Sequence, residues 1–168
     1  MKPSVKDFSF LRDAGFKVSY QCLVDALKFY DSDPSVACGL FRKVLESEVS
    51  DMYRLLGKTK TNNLLQDINN LGKILPRDID KERLIHEMHN VRIIGNAYNH
   101  YTDKQRDVKK DKNTCYLALR TISSQLVKLK TIKTKKKPRF AKISYLIILL
   151  VFLLLLLLIA FWSRGYFQ

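Results

Sequence analysis

Apolar residues recur at three- and four-residue steps through most of this chain, and near its end that rhythm gives way to one unbroken apolar run. The stepped part predicts amphipathic helices, each with one face for a shared core. Residues 16–30 carry Leu23, Ala26, Leu27 and Tyr30 on such a face. Asp33-Pro34 supplies an N-cap followed by proline at the first helical position, where its missing N–H costs nothing. A long helix is expected to follow, with Ala37, Leu40, Phe41, Val44, Leu45, Val49, Met52, Leu55 and Leu56 inward and Gly57 as its left-handed stop. A further helix over 62–75 ends at Pro76, and another over 80–101 starts on Asp80 as cap. The last covers 111–132, where Cys115, Leu119, Ile122, Leu126 and Leu129 step by four, three, four and three. That spacing suits a coiled coil, but it lasts barely two heptads and is read as a bundle-packing face. β-Branched alternation is absent, so the class is all-α: a four- to five-helix bundle over residues 1–132.

The unbroken run predicts a different environment. Residues 145–162 contain no charge, and 143–162 supply the roughly 20 apolar residues that cross a bilayer as one helix. Tyr145, Trp162 and Tyr166 lie where interfacial anchors are expected. The organisation is therefore a cytosolic helical domain (1–132), a basic juxtamembrane linker (133–142), a single transmembrane helix (143–162) and a short non-cytosolic tail (163–168). No apolar segment near Met1 resembles a secretory signal. With no small-x-x-x-small motif on its leucine-rich face, the span is expected to anchor rather than to associate.

Charge distribution sets the orientation. The net charge of +14 is concentrated late in the sequence. Lys133, Lys135, Lys136, Lys137, Arg139 and Lys142 precede the run and only Arg164 follows it, which by the positive-inside rule leaves the N-terminal domain in the cytoplasm. The same cluster is suited to anionic lipid headgroups; as an RNA phosphate track it lacks interleaved aromatics apart from Phe140 and Tyr145. Cys22, Cys38 and Cys115 are odd in number and have no C-x-x-C spacing, fitting reduced core residues.

Candidate chemistry gathers at Val91-Arg92-Ile93-Ile94-Gly95-Asn96-Ala97-Tyr98-Asn99-His100. Arg92, Asn96 and His100 fall at i, i+4 and i+8, one stripe of a helix, presenting a cation, an amide and an imidazole suited to phosphate. Gly95 costs about 1 kcal/mol relative to alanine in a helix, so its missing side chain serves close packing or ligand approach. Arg42 and Glu46 form an i, i+4 pair that supports the bundle or the site. A structural alternative pairs Arg92 with Glu46 across two helices. Glu82, His86 and His89 share a helix face, but three exposed residues without a fourth partner make a poor metal site, and no metal is assigned. No phosphate-binding loop, dinucleotide fingerprint or nucleophile elbow is present, and no cofactor is expected.

Asp33-Pro34-Ser35, Arg42-Lys43-Val44-Leu45-Glu46, the segments Leu64-Leu65-Gln66-Asp67-Ile68 and Leu71-Gly72-Lys73-Ile74-Leu75-Pro76, and the stretch from Val91 to His100 together show a resemblance. They are similar to a bacterial domain of unknown function that also occurs joined to restriction-enzyme subunits. That family is placed in the HEPN superfamily (higher eukaryote and prokaryote nucleotide-binding). The resemblance covers about 34–101. It implies a helical homodimer in toxin or phage-defence systems, and metal-independent cleavage of RNA by an arginine-polar-x-x-x-histidine motif from each subunit. By that resemblance His100 is the acid or base, Asn96 orients phosphate or hydroxyl and Arg92 stabilises charge. This chain departs from the nuclease pattern: Gly95 stands where the arginine is usual. Two functions stay open, a membrane-held ribonuclease and a noncatalytic module binding nucleotide, RNA or a partner protein of a defence system at the bacterial inner membrane.

Overall fold

In the computed structural model, residues 3–100, 106–135 and 150–155 are described. A short 3-10 turn, Val5–Phe8, leads into α1 (Ser9–Asp13), followed by α2 (Lys17–Lys28), α3 (Pro34–Leu56), α4 (Leu64–Ile74), α5 (Lys81–Asn99) and α6 (Val108–Lys135). The fold is all-α, and no strand occurs among the described residues. The N-terminal turn and α1 were not anticipated: their capping box, in which Ser4 accepts from Lys6 N–H and Asp7 from Ser4 N–H, is too short to generate a periodic face.

Local signals explain the helix limits. Asp33 Oδ1 accepts from Val36 N–H at 3.1 Å, while Pro34 occupies the first turn. Gly57 closes α3 at φ +64°, and its amide bonds back to Arg54. Asn63 caps α4 through Gln66 N–H, and Asp80 caps α5 through Arg83 N–H.

The core is continuous from Phe8 and Leu11 through Leu23, Phe41, Leu45 and Met52 to Ile68, Leu71, Leu84 and Met88. The stepped face of α6 joins it: Cys115, Leu119, Ile122, Leu126 and Leu129 are fully buried, so that face packs within the bundle. Burying each such aliphatic side chain contributes about 1.5–3 kcal/mol, far more than a helix surface pair. Polar contacts orient α6 on the earlier elements. Tyr116 Oη donates to Asp7 at 2.5 Å, Lys112 Nζ donates to the Tyr30 carbonyl at 2.8 Å, and Lys130 Nζ donates to the Ala14 carbonyl. Lys112 also lies 4.3 Å from the centre of the Tyr30 ring, a cation–π contact.

Glu48 on α3 is the main exception to the apolar core. It is fully buried and hydrogen-bonded to Ser123 Oγ of α6, while its second oxygen has no partner. Burial pushes its pKa up to about 8, against the lowering effect of the Ser123 bond, and neighbouring Asp51 adds to the rise.

The chain divides into two compact units, Met1–Lys133 and Thr134–Gln168. Most of the expected span at 143–162 lies outside the described residues, as do Lys136, Lys137, Arg139, Lys142 and the tail at 163–168. Lys133 and Lys135 are the last basic residues of α6. Residues 150–155 are helical and exposed. Among the described residues no helix is long and apolar enough to cross a membrane.

Candidate functional site

Two glycines bring α3 and α5 together. A Cβ on Gly95 would lie 2.5 Å from Arg42 Cβ and 3.2 Å from the Cys38 carbonyl oxygen. A Cβ on Gly39, one turn before Lys43, would collide with the Asn99 side-chain oxygen. Gly95 thus serves close helix packing, and α5 runs antiparallel to α3 along this seam, with 95 beside 38–42 and 99 beside 39. The packing also explains why α5 tolerates a mid-helix glycine: the backbone approach replaces what alanine would add in propensity.

The seam places the candidate residues as follows. Glu46 pairs with Arg42 within α3 at 2.9 Å, not with Arg92 across the helices. Arg92 and Asn96 are half-buried. The Nε atoms of both Arg42 and Arg92 are buried without a hydrogen-bond partner. His100 does not extend the stripe as a helical residue. It is the C-cap of α5 at φ −114°, ψ 14°, exposed, with its amide bonded to the Asn96 carbonyl at 3.1 Å. Helix geometry therefore holds Arg92 and Asn96 in register, while His100 sits where the chain leaves the helix.

At the end of the seam opens a groove of about 610 Å³, and Arg92, Asn96 and His100 are not among the residues that line it. Its walls are the first turns of α3, the end of α5 and the start of α6, with Val36, Gly39, Lys43, Tyr98, Asn99 and Arg106 among the lining residues. Arg106 is anchored: its Nε donates to Asp111 Oδ2 at 2.6 Å and its Nη2 to Oδ1 at 3.2 Å. Tyr98 Oη donates to the same carboxylate at 3.0 Å. Burial and the Asp111 bond push the Tyr98 pKa up to about 12, so this phenol stays a donor. Lys43 is exposed, and no carboxylate among the described residues lies within ion-pair distance of it. The groove thus combines an apolar side (Val36, Leu40, Val108), one unpaired cation and an amide. That set is chemically suited to a flat or apolar group beside a phosphate.

Of the groove residues, Lys43, Tyr98, Asn99 and Arg106 were missed as site members by sequence reasoning, although all but Arg106 sit inside quoted motifs. Gly39 was the available signal, since a second glycine on an apolar helical face marks a close crossing. The other sequence candidate resolves differently. His89 Nε2 lies 3.1 Å from Asn69 Oδ1, joining α5 to α4. Burial, then the charges of Arg92 and His86, push the His89 pKa down. Among the described residues no group of three His, Cys, Asp or Glu side chains is placed to hold a metal ion.

The fold and this seam define a small all-helical domain with a polar groove where its two central helices cross. By sequence the chain matches the domain of unknown function DUF4145 over residues 24–137, and it belongs to that family. The matched stretch takes in the whole α3–α5 seam and the groove. No curated protein and no solved structure matches the chain.

Proposed function

We propose that this protein is a membrane-tethered, HEPN-like binding module that takes a phosphate-bearing ligand, a nucleotide or RNA segment, in the α3–α5 groove. The observation that carries the reading is the seam itself. Gly39 and Gly95 let two helices approach, and the groove at the end of that seam is lined by the Asn99 amide and by Lys43, which has no ion-pair partner among the described residues. The roles are then distinct. Lys43 draws the phosphate, Asn99 and the anchored Arg106 orient it, and Val36 and Leu40 cover an apolar part of the ligand. The apolar run at 143–162 anchors the domain as a single-pass span, with residues 1–132 on the cytoplasmic side of the bacterial inner membrane and the basic residues Lys133 to Lys142 at its surface. A homodimer working with a partner protein of a prokaryotic defence system is the proposed setting.

The test is a titration of the full chain in neutral detergent with fluorescent nucleotide and short single-stranded RNA. Lys43→Glu is expected to weaken binding roughly tenfold and to flatten its salt dependence, because an exposed lysine contributes charge without supporting the fold. Equal binding by wild type, Lys43→Glu and Asn99→Ala refutes the groove as the site.

A metal-independent ribonuclease is the second reading, favoured by one observation: His100 is exposed at the end of α5, free to meet a second copy's histidine. Cleavage through the 2′-hydroxyl needs both a proton acceptor and a proton donor, and each chain offers one imidazole there. Under that reading metal-free RNA cleavage yields 2′,3′-cyclic phosphate ends and disappears in His100→Ala. Intact RNA with a folded wild-type protein rules it out.

A further inference from the structure

On the opposite side of α5 a second polar groove of about 610 Å³ runs between the start of that helix and the middle of α6. Arg83 and Glu87 face it from α5, and Arg120, Thr121, Ser124 and Gln125 from α6. The two grooves share no lining residue, and Arg83 is about 120° out of phase with Gly95 at 100° per residue, so this groove is separate from the α3–α5 seam.

Three features make it a site rather than a solvated face. Arg83 and Arg120 come from two different helices, and no carboxylate among the described residues lies within ion-pair distance of either, although Glu87 stands in the same groove. Two guanidinium groups from different helices thus line one groove without an ion-pair partner among the described residues, and a guanidinium can hold phosphate oxygens bidentately. The Gln125 side-chain oxygen is buried and has no donor, which costs about 1–3 kcal/mol unless a ligand or water supplies one. Among the described residues Glu87 accepts one bond, at 3.4 Å from Asn90, so a second acceptor is also available.

From this arrangement we infer that the α5–α6 groove binds a phosphate ester carrying neighbouring hydroxyl groups. Arg83 and Arg120 hold the phosphate, the Ser124 hydroxyl adds a donor, and Gln125 and Glu87 accept from the ligand's hydroxyls. A sugar phosphate and a glycerol- or inositol-type lipid headgroup share this chemistry. The inference is independent of the reading of the α3–α5 groove.

Calorimetric titration of the full chain in neutral detergent separates the sources. The probes are ribose 5-phosphate, inorganic phosphate and water-soluble dihexanoyl phosphatidylglycerol, each against wild type, the double variant R83Q/R120Q, and Q125L. Ribose 5-phosphate binding that falls roughly tenfold or more in R83Q/R120Q supports a soluble ligand. Binding of the phosphatidylglycerol alone, with the same loss, supports a lipid headgroup. Q125L is expected to weaken whichever hydroxylated ligand binds while leaving inorganic phosphate unchanged. No binding by folded wild type, or binding unchanged in R83Q/R120Q, overturns the inference. Because Arg83 and Arg120 make no ion pair among the described residues, the double variant is expected to keep its helicity and melting temperature, which are measured alongside.

Discussion

Replacing Glu48 by glutamine should stabilise the protein at neutral pH, and the gain should depend on pH. The side chain is fully buried in the α3–α6 contact with Ser123 as its one hydrogen-bond partner among the described residues, and burial lifts its pKa from 4.5 to about 8. Between those two values the folded state holds a proton that the unfolded state has released. Stability tied to this group is therefore complete below pH 4.5 and is lost as pH rises toward 8, by about 1.4 kcal/mol per unit. At pH 7 the accumulated cost is about 3 kcal/mol. Glutamine has the same shape and no proton to acquire, but it leaves an amide donor without a partner at the position of the bare oxygen, worth about 1 kcal/mol. The net expectation is a gain of about 2 kcal/mol at pH 7, vanishing or reversing near pH 4.5. Urea unfolding of a chain ending at Lys135, followed by circular dichroism at pH 4.5, 6, 7 and 8, measures it as a shift in midpoint at constant slope. A difference between the two proteins that does not change with pH, or a glutamine variant less stable at pH 8, refutes the argument. It would mean that Glu48 is ionised and stabilised in the folded state.

Other perturbations follow from the same contacts. Gly95→Ala should destabilise the fold by about 1–3 kcal/mol despite alanine's higher helix propensity, because the new Cβ meets Arg42 Cβ and the Cys38 carbonyl; an unchanged melting temperature would remove the close crossing. Gly57→Ala should cost about 1 kcal/mol for a different reason: open space surrounds the position, but its φ is +64°, so Gly57→Asn should cost less than Gly57→Ala in the same melt. Asp33→Ala should lose about 0.5–2 kcal/mol as the cap of α3, whereas Asp33→Ser should retain most of it. Deleting residues 143–162 should move the protein from the membrane to the soluble fraction on cell fractionation; continued sedimentation with membranes would argue against the anchor.

Much of the helical framework was written in local patterns. Asp33-Pro34, Gly57, Pro76 and Asp80 delimit elements through capping and proline geometry, which act within a few residues and need no tertiary partner. The apolar steps of α3 and α6 likewise named residues that the core buries, because a helix turns its side chains with a fixed period whatever it packs against. The partners in each contact were not legible. Arg42 was the expected mate of Glu46 with Arg92 as the alternative, and the pair that forms is the one on the same helix. Glu48 is not among the apolar steps of α3, and its burial against Ser123 of α6 is a tertiary contact that the spacing does not reveal. The i, i+4, i+8 stripe ended one residue early, since the helix stops at Asn99 and leaves His100 outside it.

The sequence alone determined that this chain forms capped amphipathic helices, keeps its strongest positive charge late and carries an apolar run long enough to span a bilayer; each depends on composition and short-range periodicity. Tertiary structure decided what chemistry those helices bring together. The antiparallel crossing of α3 and α5 at Gly39 and Gly95 and the packing of α6 against α5 create grooves from residues far apart in the chain, and helical spacing says which side chains share a face without saying which face meets which.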